Sequence, residues 1–483
     1  MVEAPKHPIQ ISRRKVAASI DRAGALFELC WKTLRSGKAE EKNGADLIAI
    51  QKRLIDAQWI LQTQYMAVAK EKQRLIARKA TYQPTWFGRR MAQLDRYSKA
   101  ITSAMGIGKV IGDGYAWIFY RDDVPLIEQH LNRQRQTHLP PGVGGIGERA
   151  FVEKLQGLNK HFVLYHGITS FLRMGDVSFI SPETGRVASI GELKTKKIGE
   201  DRYEVTLGCL FGAGFNVPTG LSGTFAKTGS QRPKPLAQKI RNRLKRQMGE
   251  MALAFEASKE RELQTPINVN GRIFFDELNG AIGESRKAGF AYQKACKSHL
   301  IGAIRLSERR ISGRLLNVST EDLYERIDPV KEHIPTITDK ALRYNCIIVS
   351  AVGYSTDGLP IVLRGTIPLF WWPIERQNLF DVVFGKVVVV SIYNPAHFWE
   401  MLRQKGFSVE LDARFRFVTA TRKQGKRVTR LENMDHFKRL SGQFLLSDES
   451  IISVMEKALE FGRAQNSEHP LRIEMVPSFK DGS

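Results

Sequence analysis

The stretch GDVSFISPETGRVASIGELKTKK, Gly175 to Lys197, is an apolar hairpin with an acid at one end and a Glu-Leu-Lys triplet at the other. Pro182-Glu183-Thr184-Gly185-Arg186 reads as its turn. A three-residue loop, Glu183 to Gly185, places Gly185 in the left-handed region. Pairing then starts at Pro182 with Arg186 and runs back until Asp176 lies opposite Glu192. Directly opposed residues share a face with Cβ atoms only ~5 Å apart. Lys194, two residues beyond Glu192, falls on that face by the period of the strand. A slip of one residue would turn one set away, so the convergence depends on the turn.

Two carboxylates at that separation repel unless one takes up a proton or a divalent cation sits between them. Oxygen donors alone favour Mg²⁺ or Mn²⁺ over zinc. A neighbouring ammonium suits phosphodiester hydrolysis, because it favours hydroxide over water and offsets charge on the phosphorane. The plainer alternative is a piece of sheet with solvated ends.

The elements around the hairpin run α-β-β-β-loop-α. GERAFVEKLQGL, from Gly147, is a helix, followed by strands in HFVLYHGIT, VSFIS, RVASIGELK and RYEVTLGCLF. After a loop rich in Gly, Ser and Pro comes a basic helix from about Leu236 to Glu260. Within the first helix Glu148 shares a face with Phe151, Val152 and Leu155. An acid on an apolar face is either satisfied by the helix dipole or committed to a site.

These residues resemble the PD-(D/E)XK nucleases, the restriction-endonuclease-like superfamily. Asp176 stands where the motif's first acid would be, and Glu192-Leu193-Lys194 reads as its E-x-K after fifteen intervening residues. Gly175 replaces the motif's proline. The resemblance covers about a quarter of the chain, Gly147 to about Glu260. It implies an α/β fold with a restriction-endonuclease-like mixed-sheet core, and a metal-dependent nuclease acting on DNA. Asp176, Glu192 and the Leu193 carbonyl would hold Mg²⁺ (or Mn²⁺), Lys194 would favour the attacking hydroxide, and Glu148 would reach the metal directly or through water. In the basic helix, Lys245, Arg246 and Gln247 are the candidates for phosphate contact, giving position without base reading. A restriction or anti-phage defence setting follows from the resemblance alone. His166 flanks a strand near the site, as does His161. His397 stands alone in a helix.

The rest of the chain sets the context. A length of 483 residues calls for two or three domains. The net charge of +24 is unevenly spread. Residues 1–144 carry 24 basic and 13 acidic side chains, 145–327 carry 29 and 19, and 328–483 carry 21 and 18. The first two thirds therefore build a field that attracts polyanions. Residues 12–79 pattern as a helical hairpin turning at Lys42-Asn43-Gly44, with Leu47, Leu54, Leu61, Val68 and Leu75 on one stripe that packs inward or offers a seam for a partner or second copy. Residues 84–104 continue as helix. GIGKVIGDGYAWIFYRDD then turns strand-like, and its glycines match neither a Walker loop nor GxGxxG, so they read as turn residues. LPPGVGG, Leu139 to Gly145, is a linker. More helix is expected to about Arg309. The region 328–483 alternates strands and helices as a C-terminal α/β domain without a legible site.

Cys30, Cys209, Cys296 and Cys346 are too dispersed for a zinc site or disulfide framework and read as reduced thiols. No apolar run approaches the ~20 residues of a membrane span, so a cytoplasmic protein is expected. Two rival functions remain. One is a non-catalytic nucleic-acid-binding or scaffold protein that keeps a nuclease-like core. The other is a helical interaction protein whose charge serves an acidic partner.

Overall fold

The computed structural model describes residues 11–36, 44–133, 138–139, 142–154, 157–158, 161–199, 202–211, 221–225, 238–262, 267–317, 325, 332–340, 346–355, 358–362, 366–411, 417–425, 427–432, 435–465 and 473–477. It is a mixed α/β chain in two compact units. The first comprises Met1–Gln264 with Asp357–Arg364 and Pro368–Phe370, and the second the remainder. The basic N-terminal region and the hairpin region thus share one unit, while the residues after Gln264 belong with the C-terminal region.

Three long helices open the first unit: α1 (Arg13–Arg35), α2 (Gly44–Ala77) and α3 (Pro84–Tyr120). Ser12 caps α1 by accepting from the Lys15 amide. The stripe read from the sequence is the buried face of α2: Leu54, Leu61, Val68 and Leu75 are all buried. The turn expected at Lys42-Asn43 lies outside the described residues.

α3 runs 16 residues past the point where helical patterning ends in the sequence. The glycines expected at turns lie inside it. A helical glycine costs about 1 kcal/mol relative to alanine, and here it is offset by close contact. A Cβ would stand 2.2 Å from the Gly358 carbonyl oxygen at Gly106, 2.4 Å from Gln58 at Gly108, 2.0 Å from the Ile168 carbonyl oxygen at Gly112 and 2.2 Å from the Phe370 ring at Gly114. Those positions are docking notches for neighbouring chain.

After α4 (Val124–Leu131), α5 (Val143–Lys154) begins inside the expected linker. Six strands follow: β1 (Gly157–Leu158), β2 (His161–Tyr165), β3 (Val177–Ile180), β4 (Val187–Gly199), β5 (Arg202–Phe211) and β6 (Leu221–Phe225). They pair in chain order as an antiparallel meander, not the mixed sheet expected. β1 covers only the start of β2. Beyond it, buried Gln51 of α2 donates to the Val163 carbonyl at 2.8 Å and accepts from the Tyr165 amide at 2.9 Å. A side chain thereby completes the strand edge and ties the sheet to the helices.

Helix α6 (Gln238–Glu262) and α5 take opposite faces of this sheet. A Cβ on Gly208, which pairs with Glu192, would meet Leu244 and Met248 of α6; one on Gly147 of α5 would meet Thr195. Glu192 and Thr195 are three apart on β4 and so point to opposite faces.

The second unit departs from the helix expected up to Arg309. Instead it has β7 (Ile267–Gly271), α7 (Phe275–Ala288), β8 (Phe290–Lys294) and β9 (His299–Arg305). HLIGAIR is a short apolar run, too brief for a buried helix and suited to a central strand. α8 (Ile311–Asn317), β10 (Ile348–Ala351), α9 (Arg376–Val383) and β11 (Val387–Tyr393) follow. An antiparallel sheet in the order β10-β11-β9-β8 results, with Leu300, Ile304, Ile337, Val390 and Ile392 in its core. α10 (Pro395–Gln404) leads to β12 (Ser408–Leu411), β13 (Phe417–Gln424) and β14 (Arg427–Glu432), a separate three-stranded sheet. α11 (Asp435–Phe444), α12 (Asp448–Gln465) and β15 (Ile473–Pro477) close the chain, with β15 parallel to β7. Among the described residues no helix is long and apolar enough to cross a membrane.

Candidate active site

The hairpin reaches its expected register by an unexpected route. Its loop closes on Ser181 and Arg186, whose amide and carbonyl bond at 2.9 Å, so Pro182 belongs to the loop. Gly185 is left-handed at φ 67°. Ile180 pairs with Val187 but Phe179 with Ser189, so Ala188 is a bulge residue. The bulge restores the residue that the wider loop displaced. Val177 thus faces Gly191, one pair short of Asp176 and Glu192.

Asp176 lies just before the start of β3. Gly175 before it has φ 70°, and a Cβ there would stand 2.7 Å from the Gly191 carbonyl oxygen. Glycine is therefore required at this position. The Asp176 amide donates to the Gly191 carbonyl at 2.8 Å, and its Oδ2 accepts from the Leu193 amide at 2.6 Å. The carboxyl thus extends the β3 edge, taking the place of a strand carbonyl beside β4. In a strand, the N–H and C=O of one residue face the same edge. The Leu193 carbonyl therefore faces the Asp176 side of β4.

Glu192 is buried and pairs with Lys194. Glu148, also buried, accepts from the Tyr165 hydroxyl at 2.8 Å across the start of the sheet. Burial raises the Asp176 carboxyl well above the usual range, and the charges of Glu192 and Glu148 raise it further; the Leu193 amide and Lys194 oppose them. The Glu148 carboxyl is pushed up to about 7, chiefly by burial, with Glu192 adding and the Tyr165 bond and Lys194 opposing. The charges of Glu192, Lys194 and Glu148 thus all act on Asp176, while Glu192, which pairs with Gly208, shares the α6 face and Glu148 comes from α5 on the other. Glu148 and Asp176 also open onto one cavity of about 20 Å³, walled by Lys109, Tyr165, His166 and Arg173. That is room for about one water molecule.

Residues that carried no motif hold Asp176 in place. His130 Nδ1 accepts from the amides of Arg173 and Met174 at 3.1 and 3.0 Å, so its Nε2 carries the hydrogen and donates to Tyr120 at 3.3 Å. The Tyr120 hydroxyl donates to Ser178 Oγ at 2.5 Å, and Ser178 donates to His166 Nε2 at 2.6 Å. His166 Nδ1 donates to the Gly175 carbonyl at 3.1 Å. Every donor in the chain has one acceptor, and both ends grip residues 173–175. Burial keeps both imidazoles neutral, with His166 lowered to about 4. His166 is thus a positioning group in contact with the backbone of the site. From α3, Lys109 Nζ donates to the carbonyls of Gly167 and Thr169 at 2.6 and 2.9 Å, and Asp113 accepts from the amide and hydroxyl of Ser170. A lysine and an aspartate four apart in the otherwise apolar, glycine-notched second half of α3 were the available signal.

The remaining candidates lie elsewhere. Lys245 and Arg246 are exposed on α6, with Arg246 3.9 Å from Glu250. Gln247 is half-buried and its Oε1 has no hydrogen-bond partner among the described residues. None of the three lines the cavity. Leu155 and Leu236 lie outside the described residues. Among the described residues no three His, Cys, Asp or Glu side chains are grouped to hold a metal ion. A cation here would rest on two carboxylates and the Leu193 carbonyl, an all-oxygen donor set that fits Mg²⁺ or Mn²⁺.

The raised Glu148 carboxyl makes stability depend on pH. A proton held more tightly in the folded state stabilises it fully below about pH 4.5, and that contribution is lost as pH rises through about 7. Glu148→Gln, which still accepts from Tyr165, is expected to be more stable than wild type at pH 8 by about 3 kcal/mol. At pH 4.5 the two should melt alike. Thermal unfolding in EDTA across this range checks it.

No protein-family model matches the chain, and neither the curated proteins nor the solved structures include a match to it.

Proposed function

We propose that the protein is a metal-dependent nuclease that hydrolyses phosphodiester bonds, in DNA first of all. The observation that carries this is the meeting of Asp176 with the Glu192-Leu193-Lys194 triplet: the Asp176 carboxyl is bonded to the triplet's central amide, and burial, with the charges of Glu192 and Glu148 adding to it, raises it against the pull of that amide and Lys194. Asp176, Glu192 and the Leu193 carbonyl would hold Mg²⁺ or Mn²⁺, with Glu148 reaching it directly or through water. The bound ion would supply a lowered water pKa and positive charge for the phosphorane. Lys194, paired with Glu192, would supply the ammonium that favours hydroxide over water. Tyr165 orients Glu148, and His166 orients the Gly175-Asp176 peptide.

The order α5, strands, α6 supports a restriction-endonuclease-like core, with helices on both faces of the sheet. Its departures are the fully antiparallel sheet and the strand after α6, β7, which pairs with β15 in the other unit. The basic first unit suits a polyanion. A cytoplasmic restriction or anti-phage role follows from the resemblance. A second reading, a nucleic-acid-binding protein that keeps the core without cutting, draws on the pairing of Lys194 with Glu192, which neutralises both groups.

Incubating purified protein with single- and double-stranded DNA and RNA, with Mg²⁺, Mn²⁺ or EDTA, separates the two readings. Cleavage of DNA in either ion and none in EDTA is expected. Intact substrates throughout, with nucleic acid still bound, would establish the second reading instead.

A further inference from the structure

One end of the second unit gathers cations from four segments. Arg286 and Lys287 close α7, Arg305 ends β9, Arg309 and Arg310 follow in the turn before α8, and Lys386 precedes β11. Backbone bonds hold these segments together: the Arg305 amide donates to the Gly289 carbonyl at 2.8 Å and the Leu306 amide to the Lys386 carbonyl at 2.9 Å. Buried Arg314 donates from Nη1 to the carbonyls of Glu308 and Arg309 and from Nη2 to that of Phe384, at 2.7 to 2.9 Å. The arginine turn is thereby fixed beside the end of α9.

A buried carboxylate, Asp381, lies beneath them. Asp381 stands 2.9 Å from Arg305, 3.6 Å from Arg286 and 3.9 Å from Lys386, and also accepts from Gln377. One negative charge shared by three cations leaves the group positive, and Arg309 and Arg310 are exposed beside it. Glu308, the nearest acid in the turn, bonds Asn317. Asp381 therefore acts as an anchor that orders two guanidinium groups without cancelling the local field. Arginine dominates the set, and its planar fork matches phosphate oxygens in pairs.

We propose that this end of the second unit is a docking surface for the phosphate backbone of nucleic acid. It gives the C-terminal region a part in holding the polyanion that the nuclease reading requires, and it rests on that reading only for its purpose.

Binding of the full chain to a fluorescein-labelled 30-base-pair DNA, followed by anisotropy in EDTA over a KCl series, tests it independently of cleavage. Arg309→Ser with Arg310→Ser is expected to weaken binding about tenfold near 0.1 M salt and to flatten the log–log salt slope by about two. Lys405→Ser with Lys423→Ser removes the same charge from exposed positions elsewhere in the second unit and should have a distinctly smaller effect. Thermal melts of both variants confirm folding. Equal losses in the two variants, an unchanged slope at Arg309 and Arg310, or wild-type protein that binds no DNA would each overturn the proposal. Lost binding of polyglutamate with DNA affinity unchanged would overturn it in favour of an acidic protein. If wild-type protein cuts nothing but the Arg309 and Arg310 losses appear, the nuclease reading fails and this surface stands.

Discussion

Asp176→Asn is expected to reduce metal-dependent cleavage about a thousandfold or more while leaving nucleic-acid binding in EDTA intact. The substitution keeps an oxygen to accept the Leu193 amide, so the hairpin edge is preserved. What it removes is a charge. Because burial and two neighbouring acids already disfavour that charge, the variant should unfold at the same temperature as wild type or higher at pH 8. Lower activity with equal or greater stability is the signature of a functional carboxylate, and a merely structural aspartate would lose both. Lys194→Ala is expected to cut turnover by about a hundredfold or more with binding retained. It also leaves Glu192 buried without its ammonium, so divalent ions should protect this variant against heat more than they protect wild type. Turnover under substrate saturation and thermal melts with and without Mn²⁺ measure both effects.

Gly112→Val is expected to be the most damaging single change in the helical region. Its Cβ would lie 2.0 Å from the Ile168 carbonyl oxygen and 2.8 Å from the carbon, both backbone atoms that cannot rotate away. Either α3 or the 166–170 turn must move, at a cost of roughly 3 kcal/mol or more. For a unit of this size that lowers the melting temperature by roughly 6–12 °C. The same turn feeds His166 and the Gly175-Asp176 peptide, so activity should fall further than stability alone explains. Gly88→Ala is the control in the same helix. Nothing lies within 4 Å of its Cβ, and helix propensity should make it neutral or stabilising by up to about 1 kcal/mol.

How far the sequence could be read is clearest at the hairpin. The register that brings Asp176 beside the strand of Glu192-Leu193-Lys194 was legible because strand period and a glycine turn constrain it locally. The expected register arises through two compensating features, a wider loop at Ser181 and a bulge at Ala188. Neither is encoded by pattern alone. The Asp176 carboxyl lies along the strand edge instead of on a face, where left-handed Gly175 turns the chain just before it enters the ladder at Val177. α3 defeats local reading for a related reason. Gly106, Gly108, Gly112 and Gly114 signal turns by local propensity, yet they are the notches where Gly358, Gln58, Ile168 and Phe370 dock. Only tertiary contact distinguishes the two uses. The histidine clamp left no trace in the sequence, since His130, Tyr120, Ser178 and His166 are separated along the chain and meet only when β2, β3 and α4 pack against α3.

Titration of the purified chain with Mn²⁺, read as loss of the free-ion electron paramagnetic resonance signal, bears most directly on whether these acids share a cation. Wild-type protein should bind a single tight ion per chain, and both Asp176→Asn and Glu192→Gln should lose it. Equal binding in all three proteins, or none in wild type, would contradict the site.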